Sequence, residues 1–349
     1  MTLLVVGNSL ERTLPVAAVA AVASGERVTF TCEEYRDALA VTVEGTGLSG
    51  PAVIVPVPLD ASIAADSFIF TAPPEEYETM LRPRAEQCAG KPVLLAPGGF
   101  GGVLANIMRF REWGLAVPHF AEVPGWLASG RLAGDRIDIV ARKRNLAVAG
   151  ASDGETAVAL RHFGRYVPDL IGSDLVTTSL SNVNAIIHPP LAILNATRIE
   201  NAEEWFYWDE GLTPGVHRLM EAVDRERMAV IQAVGGKPVS LSGLSMGPSG
   251  TADAYYTMMK SSPLFRRRRG PDTLASRFLT DDVPNGVAAF EQMAAALGLE
   301  HPALTAVRTL SEIILGRPLK ADAAVVDAMV AYVKARKTAA ARPAGGTAS

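Results

Sequence analysis

The sequence predicts an α/β domain built on a parallel sheet, followed by an all-α helical domain. Short apolar runs alternate with helical or polar segments over the first 150 residues. Beyond about Gly172 the apolar spacing changes to a period near 3.6. At 349 residues the chain is long enough for two domains and a buried core that needs no disulfide or metal.

The expected strands are Leu3 to Val6, Arg27 to Thr31, Ala52 to Val55, Ser67 to Thr71 and Pro92 to Ala96. Each is rich in Val, Ile, Leu or Phe and apolar on both faces, as strands covered by helices on both sides require. A helix is expected from about Pro15, between the first two strands. Arg136 to Ala141 and Asn145 to Ala149, separated by RKR, are expected to pair as a closing hairpin. In the second half Val216, Leu219, Met220, Val223, Val230 and Ile231 mark an amphipathic helix after Pro214, with Thr213 as its N-cap. Arg225, Glu226 and Arg227 fall on its other faces, and Asp224 to Arg227 reads as a structural charged face. Val287, Phe290 and Leu297 give a second helix, and Val325, Val326, Met329, Val330 and Val333 a third. The division is therefore 1–171, 172–336 and a small, polar, Gly/Pro-bearing tail, 337–349, too poor in apolar surface to order itself.

Composition excludes several classes. With 33 Lys plus Arg against 37 Asp plus Glu, the net charge of −4 is a poor match for nucleic acid or an anionic membrane, which demand clustered positive charge. Arg266 to Arg269 is the strongest basic patch, read as a solvated loop or as an attractor of anionic substrates. Cys32 and Cys88 are the only cysteines, so neither a disulfide framework nor a thiolate zinc site is expected, and no metal is assigned. The apolar stretch Pro15 to Ala23 is too short to span a bilayer. No positive charge precedes the apolar start MTLLVVG, so a cytoplasmic location is expected. The oligomeric state, monomer or homodimer, stays open.

The order strand, Gly7, helix, strand is that of a dinucleotide-binding unit. In such a unit a glycine lets backbone amides approach the pyrophosphate, and the helix N-terminus supplies partial positive charge. The loop reads GNSLERTLP, with Gly7 alone where a second glycine would stand near Ser9 and a third near Arg12. Gly7, Asn8 and Ser9 are the candidate cofactor-binding residues. Arg12 would add a charge toward the pyrophosphate, against Glu11 beside it. Glu33 or Glu34 after the second strand would accept from a ribose 2′-hydroxyl and favour NAD over NADP, while Arg36 points the other way. Gly98 and Gly99 in APGGFGG are either a second ligand loop or a long turn.

In SLSNVNAIIHPP, Asn184 and His188 are four apart, and Ser181 would lie a turn earlier on the same helix face. Three polar groups in a Leu, Val and Ile background are costly to bury unless they meet a ligand or each other. Pro189 and Pro190 are expected to end or kink that helix. Tyr207 and Trp208 are read either as packing or as lining an amino-acid pocket.

The runs SLSNVNAIIHPPLAILNATRIE, YWDEGLTPGVHRLMEAVDRER and RFLTDDVP resemble the NAD/NADP octopine/nopaline (opine) dehydrogenase family, with weaker matches in TAPPEEYETM, LLAPGGFGG and FAEVP. The resemblance covers about residues 1–300, and only the nucleotide loop departs from it. It implies a Rossmann-type domain followed by a helical domain of the kind that closes 6-phosphogluconate dehydrogenases. It also implies a reaction: an amino acid condenses with a 2-oxo acid, and a nicotinamide hydride reduces the imine. Carried over, His188 is the acid/base residue, Asp282 its partner carboxylate and Arg277 the substrate-binding arginine.

Elementary chemistry suits these assignments. Imidazole exchanges protons near neutral pH. A buried carboxylate fixes its tautomer and orients the ring. Arginine offers two parallel donors to a carboxylate, which lysine does not. Asn184 would bond the carbonyl oxygen or the nicotinamide amide. Without the resemblance, Arg277 and Asp282 would read as a surface ion pair. Two other readings stand beside the opine one: a 2-oxo acid reductase that needs no amine, and a binding protein that has lost hydride transfer.

Overall fold

The computed structural model describes residues 2–34, 37–247, 249–263 and 265–341. They form two compact units, Met1–Ser179 and Leu180–Ser349.

The first unit is built on eleven strands: β1 (Leu3–Val6), β2 (Val28–Thr31), β3 (Leu39–Glu44), β4 (Gly50–Val57), β5 (Ser67–Phe70), β6 (Pro92–Leu95), β7 (His119–Glu122), β8 (Ala128–Ala133), β9 (Arg136–Arg142), β10 (Leu146–Gly150) and β11 (Leu170–Gly172). Their order is β11-β10-β7-β6-β5-β1-β2-β4-β3-β9-β8. The centre, from β7 through β6, β5, β1 and β2 to β4, is parallel, as the doubly apolar runs require. The sheet as a whole is mixed, because β3 with β4, β8 with β9 and β7 with β10 are antiparallel. Helix Leu10–Ser24 packs on β1, β2 and β4 and also on β8 and β9, so the sheet curls around it. Thr13 to Ala21 of that helix are all buried, which explains a run apolar on every face.

Two expectations change here. The first helix starts at Leu10, not near Pro15, because Ser9 already takes the extended N-cap conformation and Pro15 is carried inside the helix. The hairpin of Arg136 to Ala141 with Asn145 to Ala149 does not form. Instead β9 pairs with β8 and β3, while β10 lies far across the sheet between β7 and β11. Asn145, in the left-handed region at φ 50, begins the departure. The expected strands near Arg27, Ala52, Ser67 and Pro92 are β2, β4, β5 and β6.

The second unit is helical. Pro214–Ala233 is its long central helix, capped by Thr213, whose Oγ1 accepts from Val216 N at 3.3 Å. Helices Asn184–Leu194, Ala288–Ala296 and Pro302–Leu315 pack on it. The charged face expected over Asp224 to Arg227 is not all solvated. Arg227 is 0% exposed, paired with Asp224 at 2.7 Å and donating to the carbonyls of Leu180 and Val239. A buried guanidinium is tolerated only with such full pairing, which periodicity cannot reveal. Helix Ala323–Ala341 runs through the first part of the expected tail, and the rest of that tail lies outside the described residues. No helix among the described residues is long and apolar enough to cross a membrane.

Candidate active site

Helix Asn184–Leu194 carries both Asn184 and His188, four residues apart and so on one face. Ser181 precedes the helix and does not share that face. The helix does not end at the histidine: Pro189 and Pro190 sit inside it, and it continues to Leu194. Asp282 comes from 94 residues downstream, between the short helix Arg277–Thr280 and the wide π-type turn Val283–Val287. Its Oδ2 lies 2.7 Å from His188 Nδ1, with the Asp282 side chain 1% and the His188 side chain 12% exposed. Phe278 stacks flat on the imidazole at 3.8 Å between centroids and 3° between planes. The ring is thus fixed in tilt by Phe278 and in spin by Asp282.

Arg277 Nη2 is 3.4 Å from Asp281 Oδ2 and 3.5 Å from Asp282 Oδ1. Both contacts are long for charge-assisted hydrogen bonds, and Arg277 Nε is buried with no hydrogen-bond partner. A third of the side chain is exposed. Such an arginine is held in place by two carboxylates yet keeps donors for an incoming one. Asp281 is itself anchored by Asn285 Nδ2 at 2.7 Å.

Tyr207 and Trp208 lie in a π-type turn, Tyr207–Gly211, and both are buried. Tyr207 meets Phe278 edge-on at 6.0 Å and Trp208 at 4.8 Å. Burial pushes the Tyr207 hydroxyl above its ordinary value, against the nearby Arg268 cation. The structure therefore brings His188, Asp282, Arg277, Tyr207 and Trp208 into one neighbourhood, with Asn184 on the His188 face. Sequence reasoning missed Phe278, Asp281 and Arg268. The first two stand inside the quoted RFLTDDVP run. Arg268 belongs to the basic patch, where its backbone carbonyl accepts from Tyr207 N.

In the first unit, Gly7 follows β1 and is buried. A Cβ there would collide with Thr13 Oγ1 and Thr71 Oγ1, so the close approach of strand end, helix and β5 end demands glycine. Thr31 Oγ1 bonds both Gly7 N and Gly7 O, at 2.8 and 2.6 Å. Ser9 is the N-cap but its side chain makes no cap bond, which leaves first-turn amides at the helix end for an anion. Asn8 donates to Glu76 Oε2 at 2.6 Å, and Arg12 lies over the Trp126 ring at 4.4 Å. Glu33 follows β2 exposed, with Oε1 accepting from Leu59 N at 2.6 Å. Arg36 lies outside the described residues.

Gly98 and Gly99 lead into helix Gly102–Glu112. A Cβ on Gly98 would run into Glu122, and Gly99 has φ 73. Glu122, ending β7, is wholly buried. Its Oε2 accepts from Val103 N at 3.0 Å, and Oε1 from Ser179 Oγ at 2.6 Å and Thr178 Oγ1 at 3.0 Å. Burial pushes its carboxyl up to about 7 despite these three donors. The turn reading thus accounts for these two glycines without a nucleotide: one clears a buried carboxylate, the other takes a left-handed backbone.

Residues 171–315 match the description "NAD/NADP octopine/nopaline dehydrogenase, alpha-helical domain". An opine dehydrogenase of Arthrobacter sp. (strain 1C) is 28% identical over 285 residues, 80% of this chain and 79% of that protein. A vitopine synthase of Allorhizobium ampelinum is 26% identical over 259 residues, 71% and 70% of the two chains. Among solved structures, an octopine dehydrogenase with NADH and L-arginine superposes with a TM-score of 0.66 at 16% identity, over 90% of each chain. A yersinopine dehydrogenase bound to NADP+ gives 0.68 at 14% identity, over 97% of this chain and 99% of that one. These structures share the fold: a curled, mixed Rossmann-type sheet followed by a helical domain. The helical segment that carries His188, Arg277 and Asp282 is thus similar to the helical domain of the NAD/NADP octopine/nopaline dehydrogenases.

Proposed function

We propose that the protein is an opine-type dehydrogenase, an NAD(P)-dependent oxidoreductase that condenses an amino acid with a 2-oxo acid and reduces the product. The observation that carries this is the 2.7 Å contact of His188 with Asp282, with Arg277 alongside, in the segment that matches the family. The relatives support it: related octopine dehydrogenase structures hold NADH with L-arginine, pyruvate or agmatine.

With Nδ1–H donating to the Asp282 carboxylate, Nε2 is the ring atom that takes and returns protons. It removes a proton from the substrate ammonium, freeing the lone pair that attacks the 2-oxo carbon. A second nitrogen proton passes to the alkoxide so formed, and the histidine returns the first to the resulting hydroxyl, which departs as water and leaves the iminium. Arg277 holds the 2-oxo acid by its carboxylate in one orientation. Asn184 donates to the carbonyl oxygen, and Tyr207 and Trp208 line the amine side. Phe278 keeps water off one face of the imidazole. The nicotinamide, when bound, supplies hydride to the iminium carbon. The Gly7 loop with the uncapped helix start at Ser9 suits a pyrophosphate, and Glu33 and Glu34 favour NADH as the nucleotide to test first.

The test follows loss of the reduced-nicotinamide absorbance with a 2-oxo acid, an amino acid and NADH or NADPH. Turnover is expected only with the amine present. His188→Ala should abolish it while leaving nucleotide affinity nearly intact. Equal turnover without any amine would make the protein a 2-oxo acid reductase, and no binding of either nucleotide would leave only a binding role.

A further inference from the structure

Glu122, at the end of β7, is a buried titratable group that the proposed chemistry does not use. Its hydrogen bonds count out a proton. Oε2 faces Val103 N at 3.0 Å, in the first turn of helix Gly102–Glu112. Oε1 lies 2.6 Å from Ser179 Oγ and 3.0 Å from Thr178 Oγ1, and Thr178 Oγ1 lies 3.1 Å from the Leu175 carbonyl oxygen. A threonine hydroxyl carries one proton, while a carboxylate and a carbonyl only accept. With Glu122 ionised, the Thr178 proton goes to Oε1 and the contact with Leu175 is left without a donor. A neutral Glu122 completes the chain: Oε1–H donates to Thr178 Oγ1, Thr178 Oγ1–H to the Leu175 carbonyl, and Ser179 Oγ–H to Oε1. Burial works in the same direction, since it pushes the carboxyl up to about 7. Among the described residues no ion pair reaches it. On the elements around it, Tyr77 is a buried phenol donating to the Pro97 carbonyl, Arg109 pairs with Glu78, His119 pairs with Glu155, and Asp174 accepts from Thr177 N at 3.0 Å.

Three elements enclose this carboxyl. The loop before helix Gly102–Glu112 lies against it, so that a Cβ at Gly98 would run into the Glu122 side chain, and the helix itself has 11 residues. The third is Leu175–Ser179, a single helical turn that ends the first unit. One turn has little stability of its own, so it is the side that yields at least cost when a buried anion must reach water. We propose that Glu122 is a proton-operated latch: protonated, it seats the turn Leu175–Ser179 through Thr178 and Ser179, and on ionisation the turn lifts and exposes the carboxylate. The latch acts at the end of the first unit, five residues before Asn184 opens the helix that carries His188. It does not depend on the opine reading, because no nucleotide, amine or 2-oxo acid enters it. Above about 7, each pH unit should favour the lifted state about tenfold more.

The experiment is hydrogen exchange of the full chain, without nucleotide, read by mass spectrometry at about pH 6, 7 and 8.5 and corrected for the intrinsic exchange rate at each pH. In the wild type, protection over residues 174–181 should hold from about pH 6 to 7 and fall at least about tenfold by about pH 8.5. In Glu122→Gln it should stay level, because the amide donates to Thr178 at every pH. Thr178→Val removes the relay and keeps the carboxyl, so that segment should already be poorly protected at about pH 6. Equal behaviour of wild type and Glu122→Gln over 174–181, or protection in Thr178→Val that matches the wild type at low pH, overturns the proposal. Should Glu122→Gln fail to fold, infrared spectroscopy of the wild type replaces it: the carbonyl band of a buried neutral carboxyl should be present at about pH 6 and disappear together with the protection of 174–181. Loss of one without the other overturns the latch, and a purely structural role for Glu122 would move neither with pH.

Discussion

Replacing Glu122 with Gln turns a buried carboxyl of the first unit into a measurement. The carboxyl is wholly buried, and burial raises it from 4.5 to about 7, outweighing the bonds from Ser179, Val103 and Thr178. In the unfolded chain it ionises near its ordinary value. The folded state therefore keeps a proton that the unfolded state has already lost between those two values. Stability from this group is complete below about 4.5 and is lost as pH rises through about 7. The gap of about 2.5 pH units corresponds to about 3 kcal/mol in total, of which roughly 2.5 kcal/mol falls between pH 5 and pH 8. Glutamine has no proton to lose. Its carbonyl can face Val103 N while its amide donates to the two hydroxyls, which rotate to accept. Urea unfolding of wild type and Glu122→Gln at several pH values isolates the effect, since all other titrating groups are common to both. The wild type should lose stability relative to the variant by roughly 2–3 kcal/mol from pH 5 to pH 8. A difference between the two proteins that stays flat across that range, or that runs the other way, would refute the account of Glu122 as a carboxyl penalised by burial.

The other expectations concern the chemistry and the packing. Asp282→Asn should lower kcat by roughly two to four orders of magnitude with a smaller effect on the KM of the 2-oxo acid, because the imidazole loses its tautomer control while Arg277 stays; unchanged steady-state kinetics would remove Asp282 from the mechanism. Arg277→Lys should raise the KM of the 2-oxo acid by about tenfold or more, as one point charge replaces a two-donor fork, and the loss should be read against an uncharged 2-oxo ester. Gly7→Ala should destabilise the first unit by about 1–3 kcal/mol in thermal or urea unfolding, since its methyl group meets Thr13 and Thr71. Arg227→Leu, which leaves Asp224 buried and unpaired, should cost about 3–5 kcal/mol in the same assay, and the double replacement with Asp224→Asn should recover part of it.

Much of the fold was legible because it rests on periodicities that the chain carries openly. The five doubly apolar runs are strands, and the 3.6-period segments after Pro214 are helices. What was not legible depends on partners distant in sequence. β3, β7, β8 and β11 are short or half-exposed strands that owe their state to neighbours. The hairpin expected across RKR failed for the same reason, since β9 and β10 each find better partners elsewhere in the sheet. The His188–Asp282 pair is the sharpest case. Nothing local to His188 points to a residue 94 positions away; only the resemblance of RFLTDDVP to the family linked the two. Phe278 and Asp281 stand within that same motif without a local signal, because stacking and shared ion pairing are properties of the folded turn and not of residue type.

The glycine-poor loop shows why a motif and its physics must be read separately. A glycine is required either where φ is positive or where a Cβ has no room. Gly7 meets the second condition, hemmed in by Thr13 and Thr71. Ser9 meets neither backbone condition: it sits at φ −128 and ψ 118, ordinary extended geometry that any residue adopts, and the helix starts directly after it. The absence of glycine at Ser9 therefore leaves the strand-to-helix turn unchanged. What it alters is the clearance above the helix end, where a serine hydroxyl that caps nothing stands beside amides still able to donate. A pyrophosphate approaching this loop would meet one more hydroxyl donor in place of bare backbone. The departure from the glycine pattern would thus change how an anion is contacted there, and nucleotide titration of Ser9→Gly against wild type tests for that change directly.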